Sequence, residues 1–426
     1  MTMQAAQQVA AYRILDANSL PALLAGLDGV AALLGDRPQD WRVREVGDGN
    51  LNLVFIVEGE HGSVCVKQAL PYVRAAGPSW PMSLDRAFFE NAYFQAVAPF
   101  VGRSIPQVHH YDAGLYCTVM ERLSPHIILR HGLIAGHQYP ELARDMGEYV
   151  ARACFFTSDL ARPFERKLAD AALFAGNTAL LRISVDLIFV DPYRVSERNR
   201  HTSPQLDDIV ADLRRDGPLK VAAARFGERF LNQPQALLHG DLHSGSVMVT
   251  KTDTRVIDPE FAFYGPMGFD LGAFFGNLLL SWYSQPGHAA NRSAYQQWIL
   301  VQARCFWETF RAEFLALWAE QAAGDVFPSS VFSSLEDAPV LQAARGAYVD
   351  SVFADMLGFS ACKIIRRIVG FAHVADFERI HDPALRANCE AGALAMARLL
   401  LTHPEQFRSL DDVLDAVPRV VILGRG

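Results

Sequence analysis

What this chain lacks narrows the reading first. Its 426 residues contain no Gly-Lys dipeptide, so the Walker-type phosphate loop is absent. The six cysteines, Cys65, Cys117, Cys154, Cys305, Cys362 and Cys389, include no C-x-x-C pair, which removes zinc-ribbon and dithiol redox readings. Several lie in apolar runs, such as Ala-Cys-Phe-Phe around Cys154, and read as small buried side chains kept reduced. There is no excess of basic charge. The net charge of -8 and pI of about 5.9 argue against nucleic acid or an anionic membrane as the main partner, while leaving room for a local basic pocket. No repeat or low-complexity tract is present. The longest apolar stretch, residues 271–283, is interrupted by Asn277 and is too short to span a bilayer. The N-terminus has no basic segment followed by an apolar core, so no signal peptide is read and a cytoplasmic location is expected.

What is present is an ordinary globular composition, 50% hydrophobic and 20% charged, on a chain longer than one hydrophobic core usually serves. Two or three packed lobes are expected. Leu20, Leu23, Leu24, Leu27 and Val30 recur at helical spacing. Residues 51–59 and 63–69 are β-rich runs separated by Glu60, His61 and Gly62, a hairpin signal. A helix is predicted over 85–97 and strands over 107–112 and 115–121. After that, helical patterns dominate over 139–160, 290–321 and 348–376. A short β interruption falls at 236–239, 246–249 and 255–257. The fold class is therefore α+β. A small antiparallel-sheet lobe, 1–121, precedes a mainly helical lobe, 122–426, and the chemistry clusters where β structure breaks the helices.

The strongest chemical signal is His239-Gly240-Asp241-Leu242-His243-Ser244-Gly245-Ser246, followed by Val256-Ile257-Asp258-Pro259-Glu260. Each piece follows a short apolar run, and an acid at a strand end is held rigidly while its carboxylate meets a cleft. Phosphoryl transfer needs one acid for the nucleophile's hydroxyl proton and others to hold magnesium against the phosphates. Asp241 suits the first role, and Asp258 with Glu260 the second. An extended Asp-x-Glu would point 258 and 260 to the same side. The competing reading makes these acids turn caps, since Asp-Pro is a common turn pair. His239 and His243 would form a metal pair only on a helix, which Gly240 and Gly245 disfavour. His239 is expected to set the loop through a backbone hydrogen bond.

A second signal is Gly47-Asp48-Gly49-Asn50-Leu51-Asn52, just before the hairpin. Glycine allows backbone to approach phosphate, although Gly-x-Gly turns are mostly structural. Its weight rises because Val64-Cys65-Val66-Lys67 follows, like the strand whose lysine reaches the nucleotide phosphates. The lysine's carboxylate partner is expected from the next helix, with Glu90 the first candidate and Asp85 its rival. A third signal is Arg366-Arg367, flanked by Ile364, Ile365, Ile368 and Val369. Charges embedded this deeply need an anionic partner, either a phosphate or sugar phosphate or an internal salt bridge.

Together these segments resemble the methylthioribose kinases, a family in the aminoglycoside-phosphotransferase and choline-kinase-like branch of the protein-kinase-like fold. The resemblance is carried by residues 47–52, Trp80-Pro81, Asp85-Arg86, Val119-Met120-Glu121, Asp191-Pro192, 239–246, 256–270 and 365–376. The wider branch has Asn five positions after the catalytic Asp, where this chain has Ser246. It also has D-F-G or D-x-D where this chain has Asp258-Pro259-Glu260. The methylthioribose kinase pattern shares both departures. The resemblance implies a two-lobe kinase that uses ATP and Mg2+ to phosphorylate the 1-hydroxyl of 5-methylthioribose in methionine salvage, as a homodimer. It implies Asp241 as base, and Arg366 and Arg367 on the sugar and the transferring phosphoryl. Gly47, Asp48, Gly49, Asn50, Asn52 and Lys67 would hold the ATP phosphates. The 120–123 hinge, with Glu121 and Leu123, would meet adenine. Trp80 would sit in a loop closing over the substrate, where the alternative is a core tryptophan. The rival readings are a kinase of the same fold acting on an aminoglycoside, choline or homoserine-like hydroxyl, and a catalytically dead nucleotide-binding module.

Overall fold

Strand alternation builds the first sheet. A computed structural model describes residues 12–47, 51–73 and 77–423. The chain divides into two compact units: Met1–Pro125 with Ile257–Phe261, and His126–Val256 with Ala262–Gly426.

The first unit opens with α1 (Leu20–Ala25) and α2 (Asp28–Leu34), which bury Leu20, Leu24, Val30 and Leu34. The single helix expected over these leucines is broken because Gly26 ends α1 and Leu27 is extended (ψ 93°). Next come β1 (Arg42–Glu45), β2 (Asn52–Glu58) and β3 (Ser63–Ala69). They are followed by α3 (Arg86–Val101), β4 (Val108–Asp112) and β5 (Cys117–Glu121). The strands form one antiparallel sheet in the order β1-β2-β3-β5-β4. Its central strand, β3, pairs Val64 with Val57 and Val66 with Phe55. These residues join Leu20, Leu24, Leu34 and Val119 in one core, and period-two alternation sends Cys65 and Lys67 to the other face.

The second unit contains β6 (Ile127–Ile128), α4 (Leu129–Ala135), α5 (Leu142–Thr157), α6 (Phe164–Phe174) and α7 (Thr178–Ser184). It continues through α8 (Asp207–Arg215), α9 (Gly217–Asn232), β7 (Ala236–Leu238), β8 (Val247–Val249), β9 (Thr254–Val256) and β10 (Phe263–Gly265). It closes with α10 (Gly268–His288), α11 (Ser293–Gln321), α12 (Asp337–Val369), α13 (Ala375–Glu378), α14 (Pro383–Thr402) and α15 (Leu410–Leu423). The small sheets are β6-β8-β9 and β10-β7. The apolar stretch 271–283 lies within α10 and is buried throughout. Among the described residues no single helix is long and apolar enough to cross a membrane.

The helix predicted over 348–376 instead starts at Asp337 and stops at Val369. Its added first turns are Ala-rich but mostly exposed, so helix propensity sustains them where no apolar stripe betrayed them. Gly370 then ends the helix. α10 and α12 approach closely through glycines. A Cβ at Gly268 would lie 2.5 Å from the Asp355 side chain, and one at Gly272 would lie 2.6 Å from the Met356 carbonyl. Around this seam Phe230, Phe263, Phe269 and Phe359 pack ring on ring, with Phe269 and Phe359 centroids 5.3 Å apart.

Candidate active site

In the first unit the chemistry gathers on the α3 side of β3. Lys67 Nζ lies 2.7 Å from Glu90 Oε1 and also pairs with Asp258. Glu90 is therefore the lysine's helical partner, while Asp85 accepts a hydrogen bond from the Ser83 hydroxyl at 3.2 Å. Desolvation opposes the charge on Lys67, but Asp258, Glu90 and Glu260 outweigh it and hold the ammonium protonated. Burial raises the carboxyl groups of Glu90 and Glu260, and the neighbouring Asp258 adds to both shifts.

Asp258 and Glu260 come together in a way the sequence did not suggest. The segment is not extended. Asp258 sits in the left-handed region (φ 70°) and a turn follows at Glu260, so the same-side alternation expected of an Asp-x-Glu strand does not apply. Aspartate tolerates this conformation better than most side chains. Asp258 reaches Lys67, whereas the buried Glu260 accepts from Asn52 Nδ2 at 3.1 Å and lies 3.2 Å from Arg86 Nε. Three carboxylates, Glu90, Asp258 and Glu260, thus face two cations, Lys67 and Arg86. Among the described residues no three His, Cys, Asp or Glu side chains close around a metal by themselves. A divalent ion suits this donor set all the same. The net charge is negative, the donors are hard oxygens, and magnesium takes one or two carboxylates and fills its sphere with phosphate and water.

Of the glycine-rich segment, Gly47 lies in a turn, and Asp48, Gly49 and Asn50 fall outside the described residues. Asn52 is buried at the start of β2, its amide engaged by Glu260 and Arg86. Trp80 is half-buried, and its backbone carbonyl accepts from Val73 N–H at 2.9 Å. Glu121 ends β5, and its N–H donates to the Gln107 carbonyl at 2.8 Å. Leu123 lies two residues on and is half-buried.

In the second unit the loop between β7 and β8 carries Asp241. Its shape is set from below by Asp270 in the first turn of α10, which accepts from His239 N–H at 2.6 Å and Gly240 N–H at 3.1 Å. Gly240 adopts φ 84°, a conformation glycine supplies without strain. His239 Nδ1 accepts from Asp241 N–H at 3.2 Å, the loop-setting role expected of it. Asp241 Oδ1 then faces Lys363 Nζ at 3.2 Å, Arg367 Nη2 at 3.6 Å and Arg366 Nη1 at 3.8 Å. Its Oδ2 lies 3.3 Å from His243 Nε2. Burial raises the Asp241 carboxyl, but His243, Lys363 and Arg367 outweigh that and hold it well below the usual carboxylate range. Burial pushes His243 down to about 4, so it is neutral near pH 7. Its Nδ1 accepts from Gly245 N–H at 2.9 Å, which leaves the proton on Nε2, facing Asp241.

Residues 363, 366 and 367 share one face of α12. All three side chains are at least nine-tenths buried, and all three face the Asp241 carboxylate, with Asp270 also acting on Lys363 and Asp376 on Arg367. Burial pushes Lys363 down to about 8, with Asp241 opposing the shift and both arginines adding to it. Burial likewise depresses Arg366, and burial together with Arg366 depresses Arg367. Sequence reasoning passed over Lys363, although its i, i+3 and i+4 spacing to the arginines was a usable signal. It also gave no role to Asp270 or Arg130. Arg130 Nε contacts Ser244 Oγ at 3.1 Å and Asp376 Oδ2 at 3.0 Å, while its Nη2 donates to Asn277 Oδ1 at 2.8 Å. Ser246, which stands where the wider branch has Asn, donates its hydroxyl to the Asp241 backbone carbonyl at 3.0 Å.

An anion-seeking carboxylate site and an acid-rich lysine site are what phosphoryl transfer from a nucleotide to an alcohol requires. Known proteins agree. The model of the phosphotransferase enzyme family matches residues 42–306, more than half of the chain. The methylthioribose kinase of Escherichia coli is 44% identical over 95% of this chain and 97% of its own length. Methylthioribose kinase 2 of Oryza sativa subsp. japonica is 44% identical over 96% of this chain and 97% of its own. The methylthioribose kinase of Yersinia pseudotuberculosis is 41% identical over 88% of this chain and 89% of its own.

Proposed function

The chain belongs to the phosphotransferase enzyme family and, within it, to the methylthioribose kinases, and on that premise we propose that Asp241 directs the 1-hydroxyl of 5-methylthioribose onto the γ-phosphorus of ATP. Its fold is the protein-kinase-like one of that family, and its reaction is the ATP-dependent phosphorylation of methylthioribose, a step of methionine salvage.

The observation that carries the residue assignment is the Asp241 carboxylate, ionised and held among Lys363, Arg366 and Arg367. A base must keep its charge to orient a hydroxyl proton, and these cations keep it. Arg366 and Arg367 stabilise the charge that spreads over the phosphoryl oxygens, and they also touch the sugar. Lys67, fixed by Glu90, takes the ATP phosphates with residues 47–52. Asp258 and Glu260 would hold magnesium, which screens the triphosphate charge. Because the Glu121 N–H is already engaged by Gln107, we assign the adenine-facing donor of the hinge to Leu123, with Glu121 beside it. Trp80 is assigned to the closing loop. The nucleotide lobe, expected over 1–121, is assigned to the unit Met1–Pro125 with Ile257–Phe261, which adds Asp258 and Glu260 to it, the catalytic and substrate lobe, expected over 122–426, is assigned to the other unit, and the enzyme is a cytoplasmic homodimer. Light scattering that gives the 47.1 kDa monomer mass would remove the last point.

The test is phosphorylation of methylthioribose with ATP and Mg2+, with product regiochemistry read by NMR. The 1-phosphate is expected, and phosphate on another hydroxyl overturns the assignment. An acceptor panel separates the runner-up. Choline and aminoglycosides are cationic, and three buried cations repel them, so a preference for an amine-bearing acceptor would favour that alternative.

A further inference from the structure

Arg86 is fully buried, and a buried guanidinium needs a countercharge and acceptors for its donors. The charge meets Glu260, whose Oε2 lies 3.2 Å from Nε as an ion pair, although the Nε–H itself has no hydrogen-bond acceptor. Nη2 donates to the Leu51 carbonyl at 2.6 Å and to Asn52 Oδ1 at 3.0 Å, and Nη1 donates to the Ser83 carbonyl at 2.6 Å. Asn52 closes the figure by donating from Nδ2 to the same Glu260 oxygen at 3.1 Å. One planar group therefore joins the end of the glycine-rich segment, the end of the Trp80 segment and the acid after Asp258. Arg86 also lies one turn before Glu90 on α3, so a single helix face presents one residue to Glu260 and the next to Lys67.

We propose that Arg86 is a positioning residue that locks Glu260 and the end of the phosphate-binding segment into one block, so that metal and nucleotide bind as a unit. This rests on the reading of Glu260 as a magnesium holder. A fork of donors can make these contacts together, whereas the point charge of lysine cannot. Partners that orient a metal ligand typically change metal affinity by about 10–100-fold when removed.

The test uses the full chain with Arg86→Lys and Glu260→Gln. Mn2+ binding in the presence of ADP, read by electron paramagnetic resonance, should weaken at least about tenfold in Arg86→Lys. The Mg2+ concentration giving half-maximal velocity should rise in parallel, with KM for methylthioribose within twofold of wild type. An arginine that only supports the fold would lower kcat and thermal stability and leave Mn2+ affinity unchanged, and that result overturns the proposal. If Glu260→Gln leaves Mn2+ affinity at the wild-type value, the metal reading itself fails. If Glu260→Gln weakens binding and Arg86→Lys does not, only the inference about Arg86 fails. Should Arg86→Lys not fold, Asn52→Ala withdraws the amide shared by Arg86 and Glu260. It should weaken Mn2+ binding at least threefold, and no change would overturn the proposal.

Discussion

The two units bury charge in opposite proportions. Around Lys67 the carboxylates Glu90, Asp258 and Glu260 outnumber the cations Lys67 and Arg86, whereas around Asp241 the cations Lys363, Arg366, Arg367 and Arg130 outnumber the carboxylates Asp241, Asp270 and Asp376. Burying any charge is costly, so a surplus persists where a ligand of the other sign completes it. The acidic surplus suits a divalent ion on a polyphosphate. The basic surplus suits a transferring phosphoryl group. The contrast teaches that the sign of the leftover charge, more than the presence of any one residue, tells which end of the reaction a site handles.

Variants can break or sharpen that contrast. The largest effect is expected from Asp241→Ala, which should lower kcat by about 10³–10⁴-fold while ADP affinity by calorimetry stays at wild type. Normal turnover would remove the catalytic assignment. Lys67→Met should act on the other side and cost about 10²–10³-fold in kcat/KM for ATP, with KM for methylthioribose unchanged. If the sugar KM moves instead, the division of labour is wrong. Next comes a pH effect. Lys363, with its pKa pushed down to about 8, is charged below that pH and neutral above it. The cations facing Asp241 then fall from three to two, so kcat/KM for methylthioribose should decline above pH 8. Lys363→Arg does not titrate in this range and should lose that alkaline limb, and a limb that persists in this variant belongs to another group. The smallest effect is expected from Ser246→Ala, which removes one hydrogen bond to the Asp241 carbonyl. At about 1 kcal/mol, kcat should fall no more than about tenfold with metal dependence unchanged.

Much of this was legible in the sequence because it is local. The alternation in Ser63–Ala69 gave β3 to the residue, and the Gly-Asp-x-His run marked the loop of Asp241. Burial of Arg366 and Arg367 followed from their isoleucine neighbours. The failures have physical causes as well. Local pattern does not disclose that Asp258 turns left-handed, a conformation that few residues other than glycine adopt. Lys363 and Asp241 lie 122 positions apart, and no periodicity in either segment reports their meeting. The same holds for Arg86, whose four partners come from three separate stretches of chain.

The glycine seam between α10 and α12 gives the second unit a kind of ruler. α10 begins with the aspartate that shapes the Asp241 loop, and α12 ends with the lysine and arginines that face it. The gap between Asp241 and the cations is thus measured off by how deeply two helices nest. A single added methyl at position 272, where a Cβ would lie 2.6 Å from the opposing Met356 carbonyl, would reset that gauge from within the helix seam. Substitutions along the seam would shift Asp241 against Lys363, Arg366 and Arg367 without altering any of those four residues.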